Sequence, residues 1–104
     1  MAIYIVYSFY KNITQAKKIA RKVINNKLAA CVNINNDINS IFIWKNNICD
    51  EKEIELSFKT NKKNVKPLIK FLESNHPYEC PSIIALPTYE TNNAFRNWVK
   101  NNTI

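Results

Sequence analysis

The sequence predicts an α+β fold in which two helices cover one face of a four-stranded antiparallel sheet. Stretches rich in Ile, Val and aromatic residues alternate with stretches whose apolar residues recur every three or four positions. Their order along the chain is strand, helix, strand, strand, helix, strand. A chain of 104 residues provides enough core for one domain, which we expect to span residues 1–104.

The first strand and the first helix follow each other near the start of the sequence. Residues 2–9 are apolar almost throughout, which is typical of a central strand covered on both faces. Asn12 can then cap a helix, because its side chain can accept a hydrogen bond from the first turn, and Gln15 follows at capping-box spacing. One side of this helix is apolar and the other carries Lys and Arg, so one side is predicted to be buried.

The second and third strands form a predicted hairpin. Residues 28–44 are strand-like at both ends, but the polar residues 35–37 interrupt them. Because a straight strand of this length would exceed the usual size, we predict a bend or bulge at the interruption. Residues 45–47 form the turn, since Asn tolerates positive φ. The return strand runs to Thr60 with clean alternation of apolar and polar residues.

A second helix, a last strand and a short helix complete the elements. Asn64 is the predicted helix cap, which places Pro67 in the first turn, where its missing N–H costs little. The helix should end by about Asn75, because a proline follows His76 and favours extended geometry there. Residues 82–89 form the last strand, and a short helix with apolar residues on one side follows.

Right-handed crossovers in this order of elements give a ferredoxin-like sandwich, with the second and fourth strands at the sheet edges. Helices cover only one face, yet the first strand is apolar on both. An exposed edge strand also needs protection or a partner. We therefore expect edge-to-edge pairing between copies around a three-fold axis. The alternative is a monomer whose open face is protected by Lys and Glu.

The net charge is +7, from 15 Lys and Arg residues against 8 Asp and Glu residues. Nearly all the basic residues are Lys, which AT-rich codons encode together with the abundant Asn and Ile, so the charge is weak evidence for a nucleic acid partner. The open face of the third strand, which carries Glu53, Glu55, Ser57 and Lys59, also lacks the aromatic residues on which RNA-binding sheets stack bases. A nucleic acid partner is therefore not expected.

The location predicted from the sequence is the cytoplasm. Three cysteines are an odd number without CxxC spacing, which favours reduced thiols. No apolar run approaches the roughly 20 residues that cross a bilayer, and the first residues lack the basic region of a secretory signal. We expect no membrane partner.

Several sequence motifs together resemble the CutA family of divalent-cation tolerance proteins. They are LAACVN at residues 28–33, SNHPYECP at 74–81 and IIALP at 83–87, and the similarity extends over about residues 3–99. The resemblance implies a ferredoxin-like fold and a tight homotrimer with strand pairing between subunits. It also implies a cytoplasmic or organellar location and an association with tolerance to copper and other divalent cations.

The sequence departs from the family pattern at several positions. Members usually have a Pro-Gly turn where Asn35 and Asn36 stand here. Some copper-linked relatives carry Cys at the position of Tyr7 and a second His at the position of Asn75. Since this chain has neither residue, a copper site of one thiolate and two histidines is not available in that form.

The candidate metal ligands are His76, Cys31 and Glu79. Imidazole and thiolate are the donors that soft and borderline divalent ions prefer. We expect copper or another divalent cation to bind weakly, with no tightly bound cofactor. The alternatives are that His76 caps the second helix and bonds to the backbone, and that Cys31 packs in the core.

Four further residues, Lys59, Glu53, Tyr78 and Trp44, resemble family positions around a cleft between subunits. Lys59 could hold an anion there, carboxylates could coordinate a cation, and Tyr78 could close the wall. The alternative is a network of contacts that only fixes the trimer, with Trp44 as an interface anchor.

The functional prediction is a trimer associated with metal tolerance, and not an enzyme. Without any Gly the chain has no Gly-rich phosphate loop, and no third group orients a pair of Cys and His76 for nucleophilic catalysis. The alternative function is a signalling or scaffold trimer similar to PII proteins. Such a trimer would bind a small anion or a protein partner in the cleft, which rests on analogy of fold.

Overall fold

A computed structural model describes residues 2–104; Met1, with which the predicted domain begins, lies outside this range. The elements are β1 (Ile3–Tyr10), α1 (Ile13–Asn25), β2 (Cys31–Trp44), β3 (Asn47–Asn61), α2 (Lys62–Ser74), β4 (Ile83–Pro87) and α3 (Asn93–Asn101). The strands form one antiparallel sheet in the order β2-β3-β1-β4. The predicted α+β fold with β2 and β4 at the sheet edges is confirmed.

The core lies between the sheet and the helices α1 and α2. Alternate residues of β3 point into it, as the sequence pattern predicts, and Leu56 and Phe58 are fully buried. Val23 of α1 and Leu68 of α2 meet them from the helix layer. Burial of each such side chain contributes about 1.5–3 kcal/mol, which holds both helices on this one face.

The start of α1 follows its sequence signal. The Asn12 side chain accepts a hydrogen bond from the backbone N–H of Gln15 at 2.9 Å. This bond satisfies one of the donors that the first turn leaves free. The predicted cap of the first helix is therefore confirmed.

The predicted start of α2 was wrong by one turn. Asn61, and not Asn64, is the N-cap, and its side chain accepts from the backbone N–H of Asn64 at 3.1 Å. The strand β3 continues to Asn61, so the helix begins at once at Lys62. Pro67 therefore lies inside the helix, where it removes a backbone hydrogen bond and crowds the carbonyl four residues earlier.

The β2–β3 hairpin contains the predicted irregularity and the predicted turn. The pairing register shifts between Asn35 and Ile38, so that β2 has one extra residue opposite β3, as in a β-bulge. Lys45 and Asn46 form the turn with φ of 50° and 66°. Positive φ at both positions matches the right-handed twist of the two strands.

The hairpin extends beyond the rest of the sheet, because β1 pairs with β3 only as far as Ile54. We call residues 39–52 the hairpin arm. The arm exposes large apolar side chains: Ile41 is 70% exposed, Ile43 74% and Ile48 80%. The molecule is accordingly elongated, with extents of 44 × 26 × 22 Å.

The sheet face away from the helices, which we call the open sheet face, is also apolar at one edge. Ile84 and Leu86 of β4 pair with Tyr7 and Ile5 of β1, so these four side chains share the open face. Ile84 is 52% exposed and Leu86 50%.

Among residues 2–104, no helix is long and apolar enough to cross a lipid bilayer.

Replacement of Pro67 by Ala should stabilise the fold. Ala restores the backbone hydrogen bond inside α2 and relieves the clash, and the gain exceeds the increase in unfolded-state freedom. We expect the free energy of unfolding to rise by about 1–2 kcal/mol, measured by urea denaturation at a fixed protein concentration. Unchanged or lower stability would show that α2 does not continue through this position.

Candidate functional site

His76 lies just after α2 and joins three parts of the chain. Its Nε2 is 2.8 Å from the backbone carbonyl oxygen of Phe9, and its Nδ1 is 3.1 Å from the backbone N–H of Tyr78. Its ring stacks on Tyr10 with the centroids 4.4 Å apart. Because the carbonyl can only accept and the N–H can only donate, His76 is the neutral tautomer with its proton on Nε2.

The environment of His76 favours this neutral form. Burial lowers the pKa of His76, and the bond to Phe9 and the Glu53 carboxylate offset only part of the effect. Both ring nitrogens are occupied, so neither offers a free lone pair to a metal ion. His76 thus bonds to the backbone of β1, while Asn75 caps α2 by donating from Nδ2 to the Phe71 carbonyl at 2.8 Å.

Tyr78 connects this loop to the base of the hairpin arm. Its hydroxyl donates to the Glu53 carboxylate of β3 at 2.6 Å. Lys11, just after β1, lies over the Tyr78 ring at 5.9 Å and forms an ion pair with Glu51 at 2.6 Å. The four side chains form a compact polar cluster in which one cation faces two carboxylates.

Burial and the charges of this cluster raise the pKa of Tyr78, so its hydroxyl stays protonated. Burial raises the pKa of the Tyr78 hydroxyl far above its usual value, and the hydrogen bond to Glu53 and the charges of Glu53 and Glu51 raise it further. A hydroxyl that holds its proton this firmly is a hydrogen-bond donor and not a nucleophile or base. The cluster is built to hold the loop after α2 against β3.

Cys31 and Lys59 lie opposite each other near the other end of the sheet. The Lys59 ammonium donates to the side-chain oxygen of Asn33 and, at 3.1 Å, to the Ser57 hydroxyl. Burial raises the pKa of the Cys31 thiol, and the nearby ammonium opposes part of that rise. Cys31 therefore holds its proton near neutral pH, which lowers its strength as a metal ligand.

The fold keeps Cys31 apart from His76, the other nitrogen or sulfur donor among the three predicted metal ligands. Cys31 is opposite Lys59, which lies six residues along β3 from Glu53, or roughly 20 Å, whereas His76 is beside the Glu53 end. Glu79 is exposed in the loop after His76. Within residues 2–104, no group of three or more His, Cys, Asp and Glu side chains could hold a metal ion.

The four predicted cleft residues are only partly together. Glu53 and Tyr78 are in contact, but Lys59 and Trp44 lie in opposite directions from them, each roughly 20 Å away along the strands. Trp44 is at the tip of the hairpin arm, with Lys45 over its ring at 5.7 Å. A cleft that uses all four residues would need more than one subunit, and it stays a prediction.

Sequence patterns did not identify Lys11 and Glu51 as members of the polar cluster, nor Tyr10 as the ring on which His76 stacks. A signal was present, because antiparallel pairing of β1 with β3 brings the end of β1 toward the Glu-rich part of β3. Using this signal requires the register of β1 against β3, which the residue pattern does not determine.

The protomer defines a class: a ferredoxin-like domain with a projecting hairpin, an open sheet face that is apolar along its β4 edge, and a polar cluster that joins a loop to the sheet. The sequence matches the family described as CutA1 divalent ion tolerance protein over residues 4–102. The chain belongs to this CutA1 family, as the resemblance indicated. The family description names a tolerance and not a catalytic activity.

Individual relatives agree with the family assignment. The chain is 43% identical over 84 residues to "Protein CutA" of Mus musculus, covering 81% of this chain and 48% of that protein. It is 35% identical over 88 residues to "Divalent-cation tolerance protein CutA" of Thermus thermophilus, with 85% of both chains covered. The chain thus spans about half the length of the plant and animal relatives, and more of the bacterial one.

Solved structures support the fold. The crystal structure of CutA1 from Oryza sativa superimposes with a TM-score of 0.95 at 34% identity, covering 100% of this chain and 95% of that one. The sheet, the three helices and the long hairpin therefore form the architecture of the family.

Stability should depend on pH through His76. The pKa of His76 is lower in the folded chain than in the unfolded chain, so the unfolded chain takes up the proton first as the pH falls. The stability is complete above the unfolded value of about 6.5 and decreases as the pH falls from there toward the folded value. We expect His76→Gln, which does not titrate, to lose this part of the pH dependence in urea denaturation. A variant with the full dependence of the parent chain would contradict the neutral His76.

Proposed function

We propose that the chain acts in tolerance to divalent cations as a homotrimer, and that it binds such ions, copper among them, weakly at loop or inter-subunit sites. The observation that supports assembly is the apolar surface that one protomer leaves in water. It comprises the hairpin arm and the β4 edge of the open sheet face. Soluble chains seldom leave contiguous apolar patches of this kind uncovered. The proposed location is the cytoplasm, although a plant relative is named chloroplastic.

The strand order supports a ring as the form of assembly. Directions alternate across β2-β3-β1-β4, so the two edge strands run in opposite directions. Rotation about an axis parallel to the strands would place β4 of one subunit antiparallel to β2 of the next. Such a contact joins two different surfaces of the chain. A closed ring forms when repeated rotation by the same angle returns to the first subunit. Three subunits is the number that the family resemblance implies.

Assembly would also change the surroundings of the metal candidates. Cys31 is on the edge strand β2, so a neighbouring subunit would approach it directly. Glu79 is in an exposed loop and is free to contribute a carboxylate. His76 would contribute only if one of its two hydrogen bonds opened. The proposed metal sites therefore use Cys31 or Glu79 together with donors from a second subunit, and the proposal expects low affinity.

A charge placed on the open sheet face should weaken the assembly. We expect Leu86→Lys to shift the mass toward that of a single chain, because burial of an unpaired ammonium in the interface costs several kcal/mol. Size-exclusion chromatography with light scattering measures the mass. The matched control is Thr14→Lys, which places the same charge on the exposed side of α1. A Leu86→Lys chain with the mass of the parent would exclude the open face as the interface.

The metal proposal predicts a selective effect of cysteine substitution. We expect calorimetry with Zn(II) and Cu(II) to show weak binding that Cys31→Ser or Glu79→Gln reduces. Cys49→Ser is the control, since Cys49 is a half-buried thiol of the hairpin arm and outside the proposed site. Heat equal to that of buffer in the parent chain, or equal loss in the control, would remove the proposal.

A further inference from the structure

The net positive charge of the chain is concentrated on one surface, the solvent side of α1 and α2. We call it the basic helix face. Its eight exposed cations are Lys17, Lys18, Arg21, Lys22, Lys62, Lys63, Lys66 and Lys70. The two helices contain a single acidic residue, Glu73. Eight positive charges less one negative charge leave seven, which is the net charge of the whole chain. The rest of the chain, taken together, therefore carries no net charge.

This distribution is not what a general excess of Lys would give. A compositional bias would raise the charge of every exposed surface alike. The hairpin arm is as exposed as the helices, yet its Lys45 and Lys52 are matched by Asp50 and Glu51. The excess of positive charge is confined to the exposed side of the helices, and amino-acid composition alone does not explain that position.

The fold does not use these cations. Over the described range 2–104, the ion pairs are Lys11 with Glu51 and Lys52 with Asp37, so none of them involves the basic helix face. Lys62 and Lys63 even occupy the first turn of α2, where the helix dipole favours acidic residues. Each cation placed there costs about 0.3–1 kcal/mol. The basic helix face is thus kept at some cost in stability.

The cations form a regular array. Lys62, Lys66 and Lys70 follow each other at four-residue spacing, which makes a row with steps of about 6 Å along α2. Two shorter rows at the same spacing lie on α1, and the two helices contact each other on the same side of the sheet. The result is a positive surface whose longest row of cations extends about 12 Å along α2.

The other side chains of this face restrict the partner. Of the large apolar side chains exposed in residues 2–104, none is on α1 or α2. Insertion into a membrane and tight protein–protein contact both rely on such anchors. Binding of a phosphate backbone needs only cations, because the release of counterions drives it. With Arg21 as its single Arg, the face has little means to read bases.

We propose that the basic helix face binds the sugar–phosphate backbone of a nucleic acid without reading its sequence. From the sequence we expected no nucleic acid partner, because the sheet offers no aromatic side chains for base stacking and because AT-rich codons can explain the Lys content. Neither reason considered where the cations lie in the fold. The face is opposite the open sheet face, so it stays free in the proposed trimer. The proposal is independent of metal binding.

The test is fluorescence anisotropy with two short labelled DNA duplexes of unrelated sequence, between about 50 and 200 mM KCl. The parent chain should bind both duplexes alike, with affinity that falls linearly in a log–log plot against salt. In the variant Lys62→Gln/Lys66→Gln/Lys70→Gln, the slope should become shallower by about 2–3 and binding should weaken about tenfold or more at the lower salt.

The matched control is Lys45→Gln/Lys52→Gln/Arg96→Gln, which has the same net charge as the helix-face variant and changes no residue of the basic helix face. It should bind within about twofold of the parent. Equal loss in both variants, no binding by the parent at the lowest salt, or preference for one duplex would overturn the proposal. So would tighter binding to phosphatidylserine vesicles than to DNA. If the helix-face variant unfolds, Lys17→Gln/Lys18→Gln/Lys22→Gln on α1 takes its place with the same expected loss, and binding equal to that of the parent would overturn the proposal.

Discussion

The helices α1 and α2 cover the sheet on one side only, and the rest of this molecule's surface depends on that constraint. On the other side α3 covers only the end of the sheet at Ile3. Val6 and Phe58 are fully buried beneath α1 and α2, while Ile84 and Leu86 on the opposite side stay half exposed. Burial of the first set supplies the free energy that folds the protomer. The second set has no cover within the chain, which is why the account requires other copies of it.

The polar cluster around Tyr78 holds the base of the hairpin arm, which no helix covers. The hairpin arm projects past β1, so it lacks a core of its own. Tyr78 and Glu53 tie the loop after α2 to the base of the arm, and His76 ties that loop to β1. His76, Tyr78 and Glu53, which the sequence offered as site residues, therefore serve to position the arm. The remaining metal candidates are Cys31 on an edge strand and Glu79 in an exposed loop.

Local patterns in the sequence predicted most of the fold, because the relevant forces act over a few residues. The Asn12 cap, the bulge after Asn35 and the turn at Lys45 follow from such patterns. The start of α2 did not, since Asn61 and Asn64 are both able to cap and only the length of β3 decides between them. The candidate site was harder still. Whether His76 meets a metal or the Phe9 carbonyl depends on strand register and loop path, which sequence periodicity does not encode.

One copy alone leaves a large apolar surface in water, and we propose that assembly covers it. Sedimentation equilibrium of the unmodified chain, over a range of concentrations around the micromolar, tests this claim most directly. The account predicts a single species with three times the mass of the chain at every concentration. A compact and soluble species with the mass of one chain would contradict it, and would show that the open sheet face and the hairpin arm tolerate water.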